Sequence, residues 1–177
     1  MREAAHNQSR GSQPNPYATR EDSVGLFHED MSGLYQLSFL LTGDHQKAEK
    51  CFVAGIEDCV KENHGFRMWA RSWAKRIIVE NAILELKPRP SLPNFSSDAT
   101  VFSEKDESSS SGKPFDVDAV LGLGDFERFV FVLSVLEHYS QHECALLLGC
   151  SDLQIQEGRV RALEQLAGSK RAVSFAQ

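Results

Sequence analysis

The stretch from Ser140 to Leu166, SQHECALLLGCSDLQIQEGRVRALEQL, constrains the fold more than any other part of this 177-residue chain. It reads as two helices joined by a tight turn. Ser140 caps the first helix, with Glu143 three residues on to complete a capping box. Gly149 suits a left-handed turn, and Ser151 with Gln154 repeats the capping pattern at the start of the second helix. Ala145 and Leu148 then face Ile155, Ala162 and Leu166. This is the layout of a helix-turn-helix, whose second helix normally enters the DNA major groove.

The charge balance argues against a generally basic nucleic-acid binder. Asp and Glu number 25 against 19 Lys and Arg, a formal net charge of −6. A local basic patch remains compatible with that balance. No apolar run approaches the roughly 18 residues of a membrane span, and the first residues lack a signal peptide's apolar core. A cytoplasmic protein with no membrane segment is expected. The cysteines Cys51, Cys59, Cys144 and Cys150 form no CxxC pair. His138, His142, Cys144 and Cys150 cluster in sequence and are the candidate metal set. Because Cys144 and Cys150 fall where a helix-turn-helix places small buried residues, buried free thiols are the preferred reading. No metal and no cofactor is therefore expected. There is no Gly-rich phosphate loop or nucleophile elbow, so an enzyme is not expected either. His138 and His142 as a base and its orienter are a weaker reading than turn and surface positions.

In chain order, residues 1–22 are polar, interrupted by Pro14, Pro16 and glycines, and read as a disordered arm. A helical domain is expected over 23–86. Within it Leu34, Leu37, Phe39, Leu40 and Leu41 form an apolar segment ended by Thr42-Gly43-Asp44. Ala48, Phe52, Ile56 and Val60 then recur every fourth residue. On the next helix Phe66, Trp69, Ala70, Trp73 and Ile77 share one arc of the wheel, while Arg67, Arg71 and Lys75 share another. Residues 87–116 are rich in proline, serine and acidic side chains and read as a flexible linker. Phe126, Phe129, Val130, Leu133 and Leu136 give the next helix an apolar face, opening a helix-turn-helix domain over 117–168 with a tail at 169–177. The expected fold is all-α, two small helical domains on a tether.

That order of segments resembles the sigma-70 family of RNA polymerase sigma factors, in its small two-domain extracytoplasmic-function form. LYQLSFLLTGDHQKAE (Leu34–Glu49) is similar to the opening of the family's promoter-melting domain. FRMWARSWAKRIIVENAI (Phe66–Ile83) is similar to the end of that domain, which in the family contacts the −10 promoter element. The segment Phe126–Leu166 is similar to the reader of the −35 element. The resemblance implies transcription initiation, with core RNA polymerase and promoter DNA as partners and an anti-sigma factor as a further one. Carried over by position, Glu49, Lys50, Val53 and Ala54 are the polymerase-facing set. Arg67, Arg71, Lys75 and Arg76 are the −10 contacts, and Gln154, Gln156 and Arg161 are the recognition-helix contacts.

The sequence departs from the family pattern at each surface. Lys50, Val53 and Ala54 stand where the family carries an acidic residue and then a glutamine–glutamate pair. Arg76 and Glu80 replace an asparagine and an aspartate. Gln154, Ile155, Gln156, Glu157 and Gly158 align with a threonine–valine–lysine–serine–arginine run. On the wheel Glu157 and Glu164 lie near the middle of the outward face, Arg159 leans towards the buried side, and Gly158 weakens the helix. Trp69 and Trp73, sharing the arc of Phe66 and Ile77, are expected in the core rather than stacked on bases. The cationic strip is either a phosphate contact or a solvated face. Three functions are therefore in play: a divergent sigma factor, a sigma-like interaction module without promoter binding, and a DNA-binding regulator independent of polymerase.

Overall fold

The computed structural model describes residues 19–61, 69–90 and 117–174. Among them the chain is all-helical, with eight α-helices and no strand: α1 (Arg20–Glu29), α2 (Met31–Thr42), α3 (His45–Lys61), α4 (Ala70–Leu86), α5 (Val117–Leu121), α6 (Asp125–Phe131), α7 (Gln141–Leu148) and α8 (Asp152–Ser174). A π-helical segment, Val132–Leu136, continues α6. No described helix is long and apolar enough to cross a membrane. Most of the arm at 1–22, the linker beyond residue 90 and Arg67 lie outside the described residues.

The first half packs α2, α3 and α4 around one another, with α1 alongside. α1 begins at Arg20, earlier than the expected boundary at 23, because Thr19 and Asp22 form a capping box. α2 buries Leu34, Leu37, Leu40 and Leu41 and stops at Gly43, whose φ of 67° is left-handed. Asp44 then caps α3, accepting from the Lys47 amide at 2.9 Å. This hydrogen bond holds the Asp44 carboxyl below its ordinary pKa. Ala48 and Phe52 of the fourth-residue stripe are buried with Cys51 and Cys59, whereas the Val60 side chain is outside the described set. Ser38 ties α2 to α3 by donating to the Ala48 carbonyl at 2.7 Å.

The second half contains the helix-turn-helix, α7–turn–α8, and its caps form as the sequence predicts. Ser140 Oγ accepts from the Glu143 amide at 3.2 Å while the Glu143 carboxylate accepts from the Ser140 amide at 2.8 Å. Gly149 adopts φ 64°, a region that disfavours any residue with a Cβ. Ser151 and Gln154 form the second reciprocal pair, at 2.9 and 3.3 Å. Cys144, Ala145, Ile155 and Ala162 are buried between the two helices and α6.

The capping box makes α7 acid-sensitive. The Ser140 hydrogen bonds hold the Glu143 carboxyl below its usual range. A depressed carboxyl stabilises the fold above its unfolded value and loses that contribution as pH falls through the folded one. Ser140→Ala should therefore destabilise the protein by about 1 kcal/mol near neutrality, and Glu143→Gln should flatten the acid limb of its stability curve. Urea unfolding followed by circular dichroism between about pH 2 and 7 checks both.

The two halves are not held apart. The buried side chains of α1–α4 and α5–α8 form one continuous apolar cluster. α6 lies between them, with Phe126, Glu127, Arg128, Phe129, Val130 and Phe131 all buried, so it is buried all round rather than on a single face. At its centre is Arg128, whose side chain is 6% exposed. Its Nε donates to the Leu41 carbonyl at 3.1 Å and its Nη2 to the Thr42 carbonyl at 3.3 Å. The same guanidinium donates to the Leu123 carbonyl at 3.2 Å and to Asp125 Oδ1 at 2.6 Å. Leu41 and Thr42 end α2, where backbone carbonyls have no partner inside the helix. Arg128 thus caps α2 from the other half, with its charge at the negative end of the helix dipole.

Candidate functional site

Of the expected basic strip, Arg71, Lys75 and Arg76 lie among the described residues on α4, and each meets a carboxylate of the chain. Arg71 Nε lies 3.6 Å from Asp30 Oδ2. Lys75 Nζ donates to Glu137 Oε2 at 2.6 Å, bridging the two halves. Arg76 Nε donates to Glu80 Oε1 at 2.9 Å, one turn along the same helix. The Lys75–Glu137 pair is the most sheltered, with side chains 35% and 17% exposed. Each partner carboxylate would compete with a phosphate for the same cation.

Trp69 and Trp73 contradict the expectation of core positions. They are 60% and 36% exposed. The buried arc of α4 is centred on Ala74, Ile78 and Ala82, with Ile77 at its edge, so packing against α2 and α3 turns the tryptophans outward. Trp69 is the residue before α4, and Trp73 and Arg76 follow at successive turns within an arc of about 60°. Two indoles and a guanidinium therefore share one solvent-facing surface.

The recognition helix gives the opposite result. Gln154 is occupied in its cap with Ser151. Arg161 turns inward, its Nε donating to Glu127 Oε1 at 2.9 Å. Glu127 is only 5% exposed, and Arg161 compensates its charge. Of the three expected contacts only Gln156 projects freely into solvent, beside exposed Glu157 and Glu164. Gly158 is a packing position, since an added Cβ would lie 2.8 Å from Phe126 Cε1. Because the backbones approach there, the buried arc runs through Ile155, Gly158 and Ala162. Arg159 is exposed, about 40° round the helix from buried Ile155.

On α3, Glu49, Lys50 and Val53 are exposed together and Ala54 is half-buried. Lys50 donates to Glu85 of α4 at 2.6 Å, which raises its pKa. Val53 is 46% exposed, an apolar patch beside that ion pair. A cleft of about 590 Å³ separates the end of α4 from the helix-turn-helix turn, lined by Lys87, Arg89, Leu148 and Gln154 among others.

The cysteine cluster holds no metal geometry. Cys144 is fully buried, which pushes its thiol up to about 11. His142 lies at the surface, 3.6 Å from Asp152. Among the described residues no three His, Cys, Asp or Glu side chains converge in a metal-holding group.

The sequence reading missed Arg128, Glu127 and Glu137. The signal available for Arg128 was its place inside FERFVFVL, a run whose other residues are all apolar except Glu127, where a buried arginine must find acceptors. Glu137 carried no such signal. No protein-family model matches the chain, and no curated protein sequence matches it.

Proposed function

We propose that this protein is a divergent sigma-70-like factor of the extracytoplasmic-function type, acting in the cytoplasm in transcription initiation with core RNA polymerase and promoter DNA. The observation that carries the reading is the exposed Trp69–Trp73–Arg76 surface of α4. It lies where the resemblance places the −10 contact. Aromatic side chains beside a guanidinium form a stacking platform for unpaired bases, each stack contributing about 1–3 kcal/mol. The helix-turn-helix supports the same family reading through its architecture. Its outward face supports −35 reading poorly, with Glu157 and Glu164 exposed and Arg161 held by Glu127.

A second reading, an interaction module that no longer binds promoters, draws on the internal pairing of Arg71, Lys75 and Arg76. Retention on core polymerase followed by run-off transcription separates the two. The first reading expects retention, promoter-dependent transcripts, and a loss of about 5- to 150-fold in single-stranded −10 affinity for Trp73→Ala. Circular dichroism of Trp73→Ala should match the parent protein. No retention at modest salt removes the first reading and leaves the second.

A further inference from the structure

Part of the outward face of α8 carries exposed apolar residues, with polar Gln156 among them, where a groove-reading helix is polar. Leu153, Val160 and Leu163 are 63%, 49% and 46% exposed. At 100° per residue they fall within an arc of about 80°, along roughly 15 Å of helix. Single exposed leucines need no explanation, but an aligned set forms a stripe that gains by being covered. Among the described residues the packing leaves it open, because Ile155, Gly158 and Ala162 face α6 and α7 from the opposite side.

Charge says what can cover it. Glu157 and Glu164 are exposed and lie about 20–40° beyond Leu153, along one edge of the stripe. Among the described side chains Arg161 is the cation nearest that edge; it directs its Nε to Glu127 at 2.9 Å and reaches Glu157 only at 3.9 Å. The edge is therefore net acidic. Duplex DNA is unsuited to it, since phosphates would meet carboxylates beside an apolar surface. A second copy of α8 would bring the same carboxylates to an isologous interface and double the excess.

We propose that this face docks an amphipathic helix of a partner protein, carrying an apolar stripe bordered by lysine or arginine. The stripes mesh at heptad-like spacing and the cations meet Glu157 and Glu164, so complementarity selects the partner's register. The inference rests on α8 alone and not on the polymerase reading.

The test uses the full chain and three synthetic helical peptides, followed by fluorescence anisotropy at about 0.15 M salt. One peptide has a leucine stripe flanked by lysine, one the same stripe flanked by glutamate, and one lysine flanks with serine in place of the leucines. The lysine-flanked leucine peptide should bind at least about tenfold tighter than either control. Combined Glu157→Lys and Glu164→Lys should transfer the preference to the glutamate-flanked peptide. Combined Leu153→Ser, Val160→Ser and Leu163→Ser should abolish binding with the circular dichroism spectrum retained. Equal binding of all three peptides, or binding that survives the serine variant, overturns the proposal as mere charge attraction. So does self-association, by sedimentation, that the same serine variant removes. Duplex DNA binding that the serine variant weakens also overturns it.

Discussion

Arg128→Ala is expected to lower the free energy of unfolding by about 3–5 kcal/mol, the largest loss of any single substitution outside the apolar core. The guanidinium serves the Leu41, Thr42 and Leu123 carbonyls and the Asp125 carboxylate. Its removal leaves the end of α2 without donors inside an interface that water does not readily enter. Arg128→Met separates the contributions. Methionine refills the volume and relieves the desolvation of a charge, so a loss of about 1–3 kcal/mol in that variant isolates the orphaned carbonyls. Arg128→Lys should fall between, since one ammonium cannot match a planar fork. Urea unfolding followed by circular dichroism gives the midpoints. The parent should unfold in one transition, and Arg128→Ala should broaden or split it as the halves uncouple.

The same residue separates what was legible in the sequence from what was not. The caps of α7 and α8, the Gly43 and Gly149 stops and the apolar spacing are local rules, satisfied by residues three or four apart, and each appears where the pattern puts it. Trp69 and Trp73 mark the limit of such rules. A helical wheel ranks which residues share an arc, but neighbouring helices decide which arc is buried, and α2 and α3 chose the one through Ala74 and Ile78. The candidate site was legible as a list of residues and not as a set of free groups. Lys75 is 62 residues from Glu137, and Arg161 is 34 from Glu127. No spacing rule connects either pair. Only the fold reveals that these cations are already answered by carboxylates.

That distinction bears on how the chain would meet DNA. Lys75–Glu137 joins the strip of α4 to the second half of the molecule, and Arg128 joins α2 to α6. A promoter engaging Lys75 would have to displace Glu137, a half-buried partner, whereas Trp69 and Trp73 are already 60% and 36% exposed. Under the proposed function, contact through the exposed indoles would therefore need less rearrangement than contact through Lys75.

Gly158→Arg is expected to disrupt the packing of α8 on α6 and to unfold the helix-turn-helix at ambient temperature. In the family the sequence resembles, the corresponding position is an arginine, and introducing it together with Glu157→Ser looks from sequence like a route to tighter duplex binding. The structure reverses that expectation. A Cβ at residue 158 would lie 2.8 Å from Phe126 Cε1 and 3.3 Å from Val130 Cγ2. Phe126 is 2% exposed and Val130 fully buried, so neither has space to withdraw. Gly158→Ala measures the conflict on its own. Alanine gains about 1 kcal/mol in helix propensity, against about 1–3 kcal/mol for overpacking a filled core. The contact is with a buried aromatic ring, so overpacking should win and the net loss should be about 1 kcal/mol. A stabilised Gly158→Ala variant would show that α6 and α8 can part by a few tenths of an ångström, and the arginine would then be tolerable. The exposed neighbours supply the complementary measurement. Gln156→Lys with Glu157→Ser changes the outward face without touching Phe126. If α8 can approach a duplex, this pair should tighten non-specific binding and steepen its salt slope by about one phosphate contact. An unchanged slope in a folded variant would place α8 outside the groove and leave its surface to protein partners.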